Sequence, residues 1–348
     1  MKENGSVIIK RLVCFALISA AVLSLTACGR APKKRTAVFY EYFDTVITLT
    51  AYTDDEELFN EARDSAEAIF ENLHRLFDIY NEYKDCVNLA SVNSRAGESV
   101  AVPHDIMELL RLGKEYEALT GGSVNIAMGA VLRLWHDARE RSALDPDGAA
   151  LPDDTALKEA SLHCRIGDVV LDEKNGTVTL NDPEMSIDVG AIAKGYAADR
   201  AAEALSSYGF PFMLNCGGAV LVSGAKPDGS PWKAGIADPQ NENEYAAVAE
   251  LDSGSLSTSG SYLRYFTVNG IEYGHIIDPA TLYPADKTAS VSVCVKGAGN
   301  ACLADALSTA CFILGAEEGM ALINSIDGAE ALFENADGSI TATNGFPR

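Results

Sequence analysis

From Pro211 to Val295 the chain is a succession of short apolar segments: "PFMLNCGGAVLVSG", "PWKAGIADP", "AAVAELDSGSLSTSG", "YLRYFTVNGIEYGHIIDP" and "TASVSVCV". Gly, Pro and Asp separate them, and no helical stretch intervenes. Parallel strands need a crossover of about a dozen residues or more, usually a helix, so strands spaced this closely pair antiparallel. Outside this run the periodicity is mixed. "FDTVITLTAYT" alternates as a strand, and "DEELFNEARDSAEAIFENLHRLFDIYN" repeats apolar residues at Leu58, Ala62, Ala66, Ile69, Leu73 and Leu76, the spacing of an amphipathic helix. "PHDIMELLRLGKEYEALTGG" opens with Pro and closes on a Gly pair, as a helix does. "SLHCRIGDVVLDEKNGTVTLND" reads as strands around the turn Lys174-Asn175-Gly176. "EMSIDVG" reads as a strand leading into the helix "AKGYAADRAAEALSSYG". "ACLADALSTACFILGAEEGMALINSI" is helical, "EALFENADGSITATNGF" is a terminal hairpin, and "DARERSALDPDGAALPDDTALKEA" is a polar connector. Strands and helices without βαβ alternation give an α+β fold with largely antiparallel sheets packed with helices.

The first residues stand apart from that fold. Lys2, Lys10 and Arg11 precede "LVCFALISAAVLSLTA" and then Cys28, which is the plan of a secretory signal. The apolar run is shorter than the ~20 residues of a membrane span. Leu25-Thr26-Ala27-Cys28 resembles a bacterial lipobox, in which the Cys carries the lipid of the mature chain. The expected division is therefore 1–27 lipoprotein signal peptide, 28–37 tether and 38–348 catalytic region, anchored through Cys28 to the extracytoplasmic face of the cell membrane, the periplasmic side where an outer membrane exists. The formal charge is −23, two units more negative once the signal is removed. Such a surface argues against nucleic acid as a partner, so an anionic ligand must be held locally by a Lys, a metal or backbone amides. Cys86, Cys164, Cys216, Cys294, Cys302 and Cys311 form no CxxC pair, and those in apolar runs read as small buried hydrophobes.

Three stretches carry chemistry. In "MSIDVGAIAKGYAADRA" Asp188 and Lys194 stand among Gly, Ala, Ile and Val. Small residues at a helix start let backbone N–H groups approach an anion, with Lys194 adding a point charge and Asp188 left to accept from a ligand. A structural turn with a capping Asp and a surface Lys fits the same residues. In "ADALSTACF", Asp305, Ser308 and Thr309 lie at i, i+3 and i+4 on one face of an otherwise apolar helix. Oxygen donors grouped this way suit Mg²⁺; a buried Asp satisfied by backbone amides, with hydroxyls bonded to the preceding turn, is the alternative. In "GHIIDP", His275 sits at a strand–loop transition, and a single His is more often structural than catalytic. "LNCGGAVLVSG" and "SLSTSGSY" are weak signals taken singly.

Together, and in this order behind a lipobox, "DVGAIAKGYAAD", "LNCGGAVLVSG", "STSGSYLRYF", "GHIIDPATLYP" and "ADALSTACFILG" resemble the ApbE family, the FAD:protein FMN transferases formerly called thiamine-biosynthesis lipoproteins. The resemblance runs from about Phe43 to the C-terminus and includes "FDTVITL", "LFDIYN" and "GGSVNIAMGAVLRLW". It implies a two-lobed architecture with FAD in the cleft between lobes and Mg²⁺ on its diphosphate. It also implies transfer of the FMN half to a Thr or Ser hydroxyl of an exported target, such as a subunit of a membrane redox complex, with release of AMP. By resemblance Asp188 and Lys194 contact FAD. Ala191 (through its carbonyl), Asp305 and Thr309, with Ser308, ligate the metal. Phe43, Tyr80, Ser123, Val124, Asn125 and the backbone near Ile277 line the flavin or adenine pocket. The sequence departs from the commoner family pattern at Phe43-Asp44 and Val124-Asn125, in the flavin-lining part and not in the diphosphate–metal part. The expected mechanism sets Lys194 and Asp305 at the diphosphate and His275 as general base, with Asp278 behind it. Two other outcomes share these residues: a Mg²⁺-dependent FAD pyrophosphatase giving FMN and AMP, and a non-catalytic FAD-binding lipoprotein.

Overall fold

Fifteen strands and eight α-helices follow one another in the computed structural model, which describes residues 31–262 and 264–347. The lipobox and Cys28 lie outside the described residues. In chain order the elements are β1 (Lys34–Tyr42), β2 (Thr45–Tyr52), α1 (Glu56–Phe77), α2 (Leu89–Ser94), β3 (Ser99–Ala101), α3 (His104–Leu119), α4 (Gly129–Leu144) and α5 (Asp154–Ser161). Then come β4 (Val169–Asp172), β5 (Thr177–Leu180), α6 (Ala193–Ser206), β6 (Phe212–Cys216), β7 (Ala219–Ser223), β8 (Trp232–Asp238) and β9 (Asn241–Leu251). The chain closes with β10 (Gly254–Gly260), β11 (Tyr265–Val268), β12 (Ile271–Gly274), β13 (Ser290–Val295), α7 (Ala301–Leu314), α8 (Ala316–Asn324), β14 (Ala329–Glu334) and β15 (Ile340–Ala342).

Eight of the strands make one sheet in the order β1-β2-β6-β7-β10-β13-β14-β15. Every recorded pairing, here and in the three smaller sheets, is antiparallel. The expectation of an α+β fold with antiparallel sheets therefore holds. Alternation decides which face meets the helices. Ile47, Leu49 and Ala51 of β2 and Leu214 and Cys216 of β6 bury their side chains with α1 and α6 in the main core. Val291, Val293 and Val295 of β13 cover α7 and α8 in a second cluster.

α1 follows its apolar period, burying Phe59, Ala62, Ala66, Phe70, Leu73 and Leu76, and Asp55 caps it by accepting from the Leu58 N–H. It ends at Phe77 rather than Asn81, because the Asp78 carboxylate gathers the N–H groups of Tyr80 and Asn81 and the Tyr83 hydroxyl into a turn. Three further expectations are corrected. The polar connector is the end of α4 and all of α5, since Val131, Trp135, Ala138 and Ser142 keep a buried helical stripe and Asp153 caps α5. Residues 185–189 carry no regular secondary structure and belong to no sheet. β1 begins at Lys34, so Lys34–Ala37, placed in the tether by sequence, pair with Leu49–Tyr52. The six described cysteines are free, and Cys216, Cys294, Cys302 and Cys311 are buried. No helix among the described residues is long and apolar enough to cross a membrane.

Candidate active site at the start of helix α6

The crossing of α6 and α7 sets the site. A Cβ on Gly195 would stand 2.3 Å from the Ala301 carbonyl oxygen, so only Gly allows the two helices to meet here. Ala197, Ala198 and Ala201 are fully buried on the same helix. At these positions the small side chains serve helix packing and not the approach of a ligand, which corrects part of the sequence reading. Asp199, one turn beyond Gly195, accepts from the N–H groups of Ala301 and Cys302, both at 2.9 Å, and so caps α7 from a neighbouring helix. Burial pushes its carboxyl up to about 6 despite those two donors.

That clamp places Asp305 against the first turn of α6. Asp305 is 3% exposed. Its Oδ2 accepts from the Gly195 N–H at 3.1 Å and lies 3.5 Å from Lys194 Nζ, and its Oδ1 accepts from the Ser257 hydroxyl at 3.0 Å. Ser259, two residues along β10, bonds to the Ser308 hydroxyl at 2.8 Å and to that of Thr309 at 3.2 Å. Ser308 also donates to the Asp305 carbonyl at 3.0 Å, the back-bonding that the sequence left open. Asp305, Ser308 and Thr309 thus share one face as their spacing requires. The weak "SLSTSG" signal supplies its opposite wall, with Ser255, Ser257 and Ser259 alternating on one face of β10. Of these, Ser255 is buried with no partner for its hydroxyl among the described residues.

Asp188, ahead of α6, is held by the backbone. Its N–H donates to the Ile126 carbonyl at 2.9 Å, and its Oδ1 accepts from the Gly190 N–H at 2.8 Å. The N–H groups of Ile192 and Ala193 go to the Val189 carbonyl at 3.0 and 2.9 Å. So the donors of Gly190, Ile192, Ala193 and Gly195 are engaged within the protein, and the anion resting on the α6 terminus is Asp305 itself. Burial pushes the Asp188 carboxyl up, against the Gly190 N–H and the charges of His136 and Arg139. Lys194 is held by two long contacts, Asp305 at 3.5 Å and the Gly190 carbonyl at 3.4 Å.

His275 lies just past β12. Its Nδ1 donates to the Arg264 carbonyl at 3.3 Å, which fixes the neutral tautomer and leaves Nε2 as the acceptor. Burial first, then the charges of Arg264, Arg139 and Lys194, push the imidazole down to about 4. Asp278, the second candidate base, is a turn former: its Oδ1 accepts from the Ala280 N–H at 2.8 Å. The end of β1 and the β1–β2 turn carry three non-glycine residues in the left-handed region, Glu41 in the strand and Phe43 and Asp44 in the turn, at φ 76°, 54° and 50°. The Phe43 N–H donates to His74 Nδ1 at 3.2 Å, and the two rings meet edge-on at 5.7 Å. Tyr80, 58% exposed, stacks on His136 with ring centroids 4.7 Å apart, and Arg139 lies 3.1 Å from His136 Nδ1. Burial and the Asp188 charge push the Tyr80 phenol up to about 12.

The remaining candidates divide. Val124, 2% exposed, and Ile277, 5% exposed, turn their side chains into apolar clusters, leaving main-chain atoms for any ligand. Asn125 spends its side chain on the Ala127 N–H and the Cys164 carbonyl, both at 2.9 Å. Ser123 is half-buried beside them, and Ala191 half-buried before α6. Sequence reasoning missed His136, Arg139, Arg264, Asp199 and Gly195. The i, i+3 spacing of His136 and Arg139 on one helix face was the one local signal. Among the described residues no group of three or more His, Cys, Asp and Glu could hold a metal. What the site offers is one buried carboxylate among Ser and Thr hydroxyls. That donor set suits a hard cation which completes its shell with phosphate and water, not a soft one that wants imidazole or thiolate.

Comparison with known proteins identifies the family. The family model described as "ApbE family" matches residues 43–333. The FAD:protein FMN transferase of Treponema pallidum is 34% identical over 303 residues, covering 82% of this chain and 81% of its own length. That of Haemophilus influenzae is 28% identical over 326 residues, 89% of each chain. Among solved structures, the ApbE protein of Thermotoga maritima superposes with a TM-score of 0.81 at 27% identity, over 91% of this chain and all of that one. The Pseudomonas stutzeri flavinyl transferase ApbE in its apo form gives 0.75 at 26% identity, over 90% and 96%.

Proposed function

Because this chain belongs to the ApbE family, we propose that it is an FAD:protein FMN transferase, moving the FMN moiety of FAD to a Thr or Ser hydroxyl of an exported protein and releasing AMP. One observation carries the reading: Asp305 is buried among hydroxyls of β10 and α7 yet meets Lys194, which also reaches the Gly190 carbonyl before α6. The carboxylate is satisfied by the Gly195 N–H and the Ser257 hydroxyl, which leaves Lys194, 27% exposed and held only by long contacts, as the charge available to a ligand.

In the reaction the target hydroxyl oxygen attacks the FMN phosphorus. The new P–O bond forms as the bridging P–O bond to AMP breaks, and AMP departs with the electron pair. The hydroxyl proton passes to His275 Nε2, which the Nδ1 bond to Arg264 keeps free to accept. Lys194 neutralises charge on the diphosphate. Asp188 accepts from an NH or OH of the ligand, and Phe43, Tyr80 and the main chain at Ser123–Asn125 and Ile277 border its rings. Asp305, Thr309, Ser308 and the Ala191 carbonyl would hold Mg²⁺, which when bound supplies a divalent positive charge to the diphosphate oxygens. The two-lobed cleft belongs to the same proposal. So does attachment through a lipid on Cys28 to the extracytoplasmic membrane face, which mass spectrometry of the mature N-terminus would check.

One incubation with FAD, Mg²⁺ and a Thr-bearing acceptor peptide tests the activity. Covalent flavin on the peptide with equimolar AMP is the expected result. Free FMN with AMP would make the chain a pyrophosphatase, and intact FAD would make it a flavin-binding lipoprotein; either refutes transfer.

A further inference from the structure

We propose that Arg264 is a positioning residue for the transfer, holding His275 through its backbone carbonyl and the β1–β2 turn through its guanidinium. The inference rests on the reading of His275 as the base. Two bonds meet at this residue from opposite sides: the Arg264 carbonyl accepts from His275 Nδ1 at 3.3 Å, and its Nη2 donates to the Asp44 carbonyl at 3.0 Å. These are contacts across 11 and 220 residues of sequence, so Arg264 joins parts of the chain that nothing local brings together. What it grips on the far side is a strained segment. Phe43 and Asp44 both have positive φ, a conformation that non-glycine residues rarely adopt and that persists only where its surroundings hold it. The Phe43 N–H to His74 bond is one such hold, and the guanidinium on the Asp44 carbonyl is the other.

Arg264 is also set apart by what it does not do. In a chain with 50 acidic residues against 27 basic ones, it forms no ion pair with a carboxylate among the described residues. Its charge instead bears on His275, together with that of Arg139 from α4 and of Lys194 from α6. Burial and these three cations all act on the imidazole in the same sense, favouring its neutral form. Arg264 thereby does two things to one ring: it fixes which nitrogen carries the proton, and it keeps the other free of one.

The test compares Arg264→Gln, Arg264→Lys, His275→Gln and the Arg264→Gln/His275→Gln double variant in the full-length protein. AMP release and covalent flavin are followed in single turnovers at saturating FAD and Mg²⁺ with the acceptor peptide, and FAD affinity is read by flavin fluorescence. A displacement of about 1 Å costs on the order of 100-fold, so Arg264→Gln should slow transfer about 10- to 100-fold with FAD affinity and unfolding temperature unchanged. Loss of a cation also lets the imidazole protonate more easily, so the acid limb of its pH–rate profile should move to higher pH. Arg264→Lys keeps the charge but not the planar fork. It should return the limb to its place while recovering the rate only in part. In the His275→Gln background the Arg264 substitution should cost nothing further, since the two act as a unit. If His275→Gln transfers FMN at the wild-type rate, the assignment of the base fails and takes this proposal with it. If His275→Gln is inactive while Arg264→Gln keeps the wild-type rate and pH profile, the base stands and the positioning role alone is overturned. A slower Arg264→Gln with an unmoved limb and a lowered unfolding temperature would likewise overturn it, in favour of a purely structural role.

Discussion

Replacing Asp305 by Asn separates the chemistry of this carboxylate from its part in the fold. The amide has the same shape and removes the charge. Its oxygen can still accept from the Gly195 N–H, now engaged at 3.1 Å. Its NH₂ then faces the Ser257 hydroxyl, 3.0 Å from the present Oδ1, and that hydroxyl can rotate to accept instead of donate. Lys194 loses its counter-charge, but with 27% of its side chain exposed it reaches water. Stranding a buried polar group costs ~1–3 kcal/mol. With both amide atoms partnered the loss should fall in the lower half of that range, and the protein should remain folded at 25 °C. The loss of activity should be far larger. Removing one preorganised electrostatic group at a reacting centre costs about 10²–10³ in rate. Covalent flavin on the acceptor and AMP in solution, measured at saturating FAD across a Mg²⁺ titration, should both stay at or below about 1% of wild type at every Mg²⁺ concentration. Thermal unfolding on the same preparation checks the fold. Wild-type transfer with an unchanged Mg²⁺ dependence would refute the role given to Asp305, and with it the proposed cation position.

Gly195→Ala should destabilise the chain by about 1–3 kcal/mol, because the new Cβ would meet a backbone carbonyl 2.3 Å away that cannot swing aside; urea midpoints would measure it, and an unchanged midpoint would show that the helix crossing is looser than the packing implies. Asp199→Ala removes the cap from two N–H groups of α7 and should cost about 1–2 kcal/mol, read by the same method, with a loss of FMN transfer accompanying any shift of Asp305. His163 bonds Asp182 at 2.7 Å, which raises the imidazole and, with the Glu184 N–H, lowers the carboxyl. The His contribution is complete below its unfolded pKa of about 6.5 and lost as pH rises through its raised folded value; that of Asp182 is complete above about 3.9 and lost as pH falls through its lowered one. The stability gap between wild type and His163→Gln should therefore be widest near pH 5 and close above pH 8, and a gap independent of pH would show that the pair contributes nothing.

Asp305, Ser308 and Thr309 were legible because helical periodicity alone gathers them, and a carboxylate at a buried position of an apolar helix demands a partner. The partner itself was not legible. Ser257 and Ser259 reach α7 only through the pairing of β10 between β7 and β13, a register that no local pattern states. Asp199 was hidden for the same reason: its two bonds span more than a hundred positions, and it looks like any surface Asp on an amphipathic helix. The run of small residues at 190–202 misled in an instructive way, since Gly and Ala permit close approach without saying to what. Here the approach at Gly195 is to another helix. The segment at 137–160 read as a polar connector because, of the buried α4 stripe, it holds only Ala138 and Ser142, set among charged residues.

The engaged donors at the start of α6 change how an acidic chain can hold a diphosphate. An open helix terminus would bind the ligand's phosphates with backbone amides, but this one already rests on Asp305 through Gly195. The attraction for an anion must then come from groups that are charged and not fully committed. Lys194 is one, tied at 3.5 Å to a carboxylate and at 3.4 Å to a carbonyl, both at the long end of such contacts. Arg139 is the other, set 3.1 Å from His136 Nδ1 and paired with no acid among the described residues, whereas the Arg264 guanidinium is spent on the Asp44 carbonyl. All three act on the same imidazole. A surface of net charge −23 repels a dinucleotide at a distance, but salt screens that repulsion beyond roughly 8–10 Å, whereas Lys194 and Arg139 act within the site. The acidic surface therefore governs how often FAD arrives, and these side chains govern where it rests. Substituting Lys194 should accordingly weaken FAD at every salt concentration, whereas neutralising distant surface carboxylates should change only the salt dependence of its association rate.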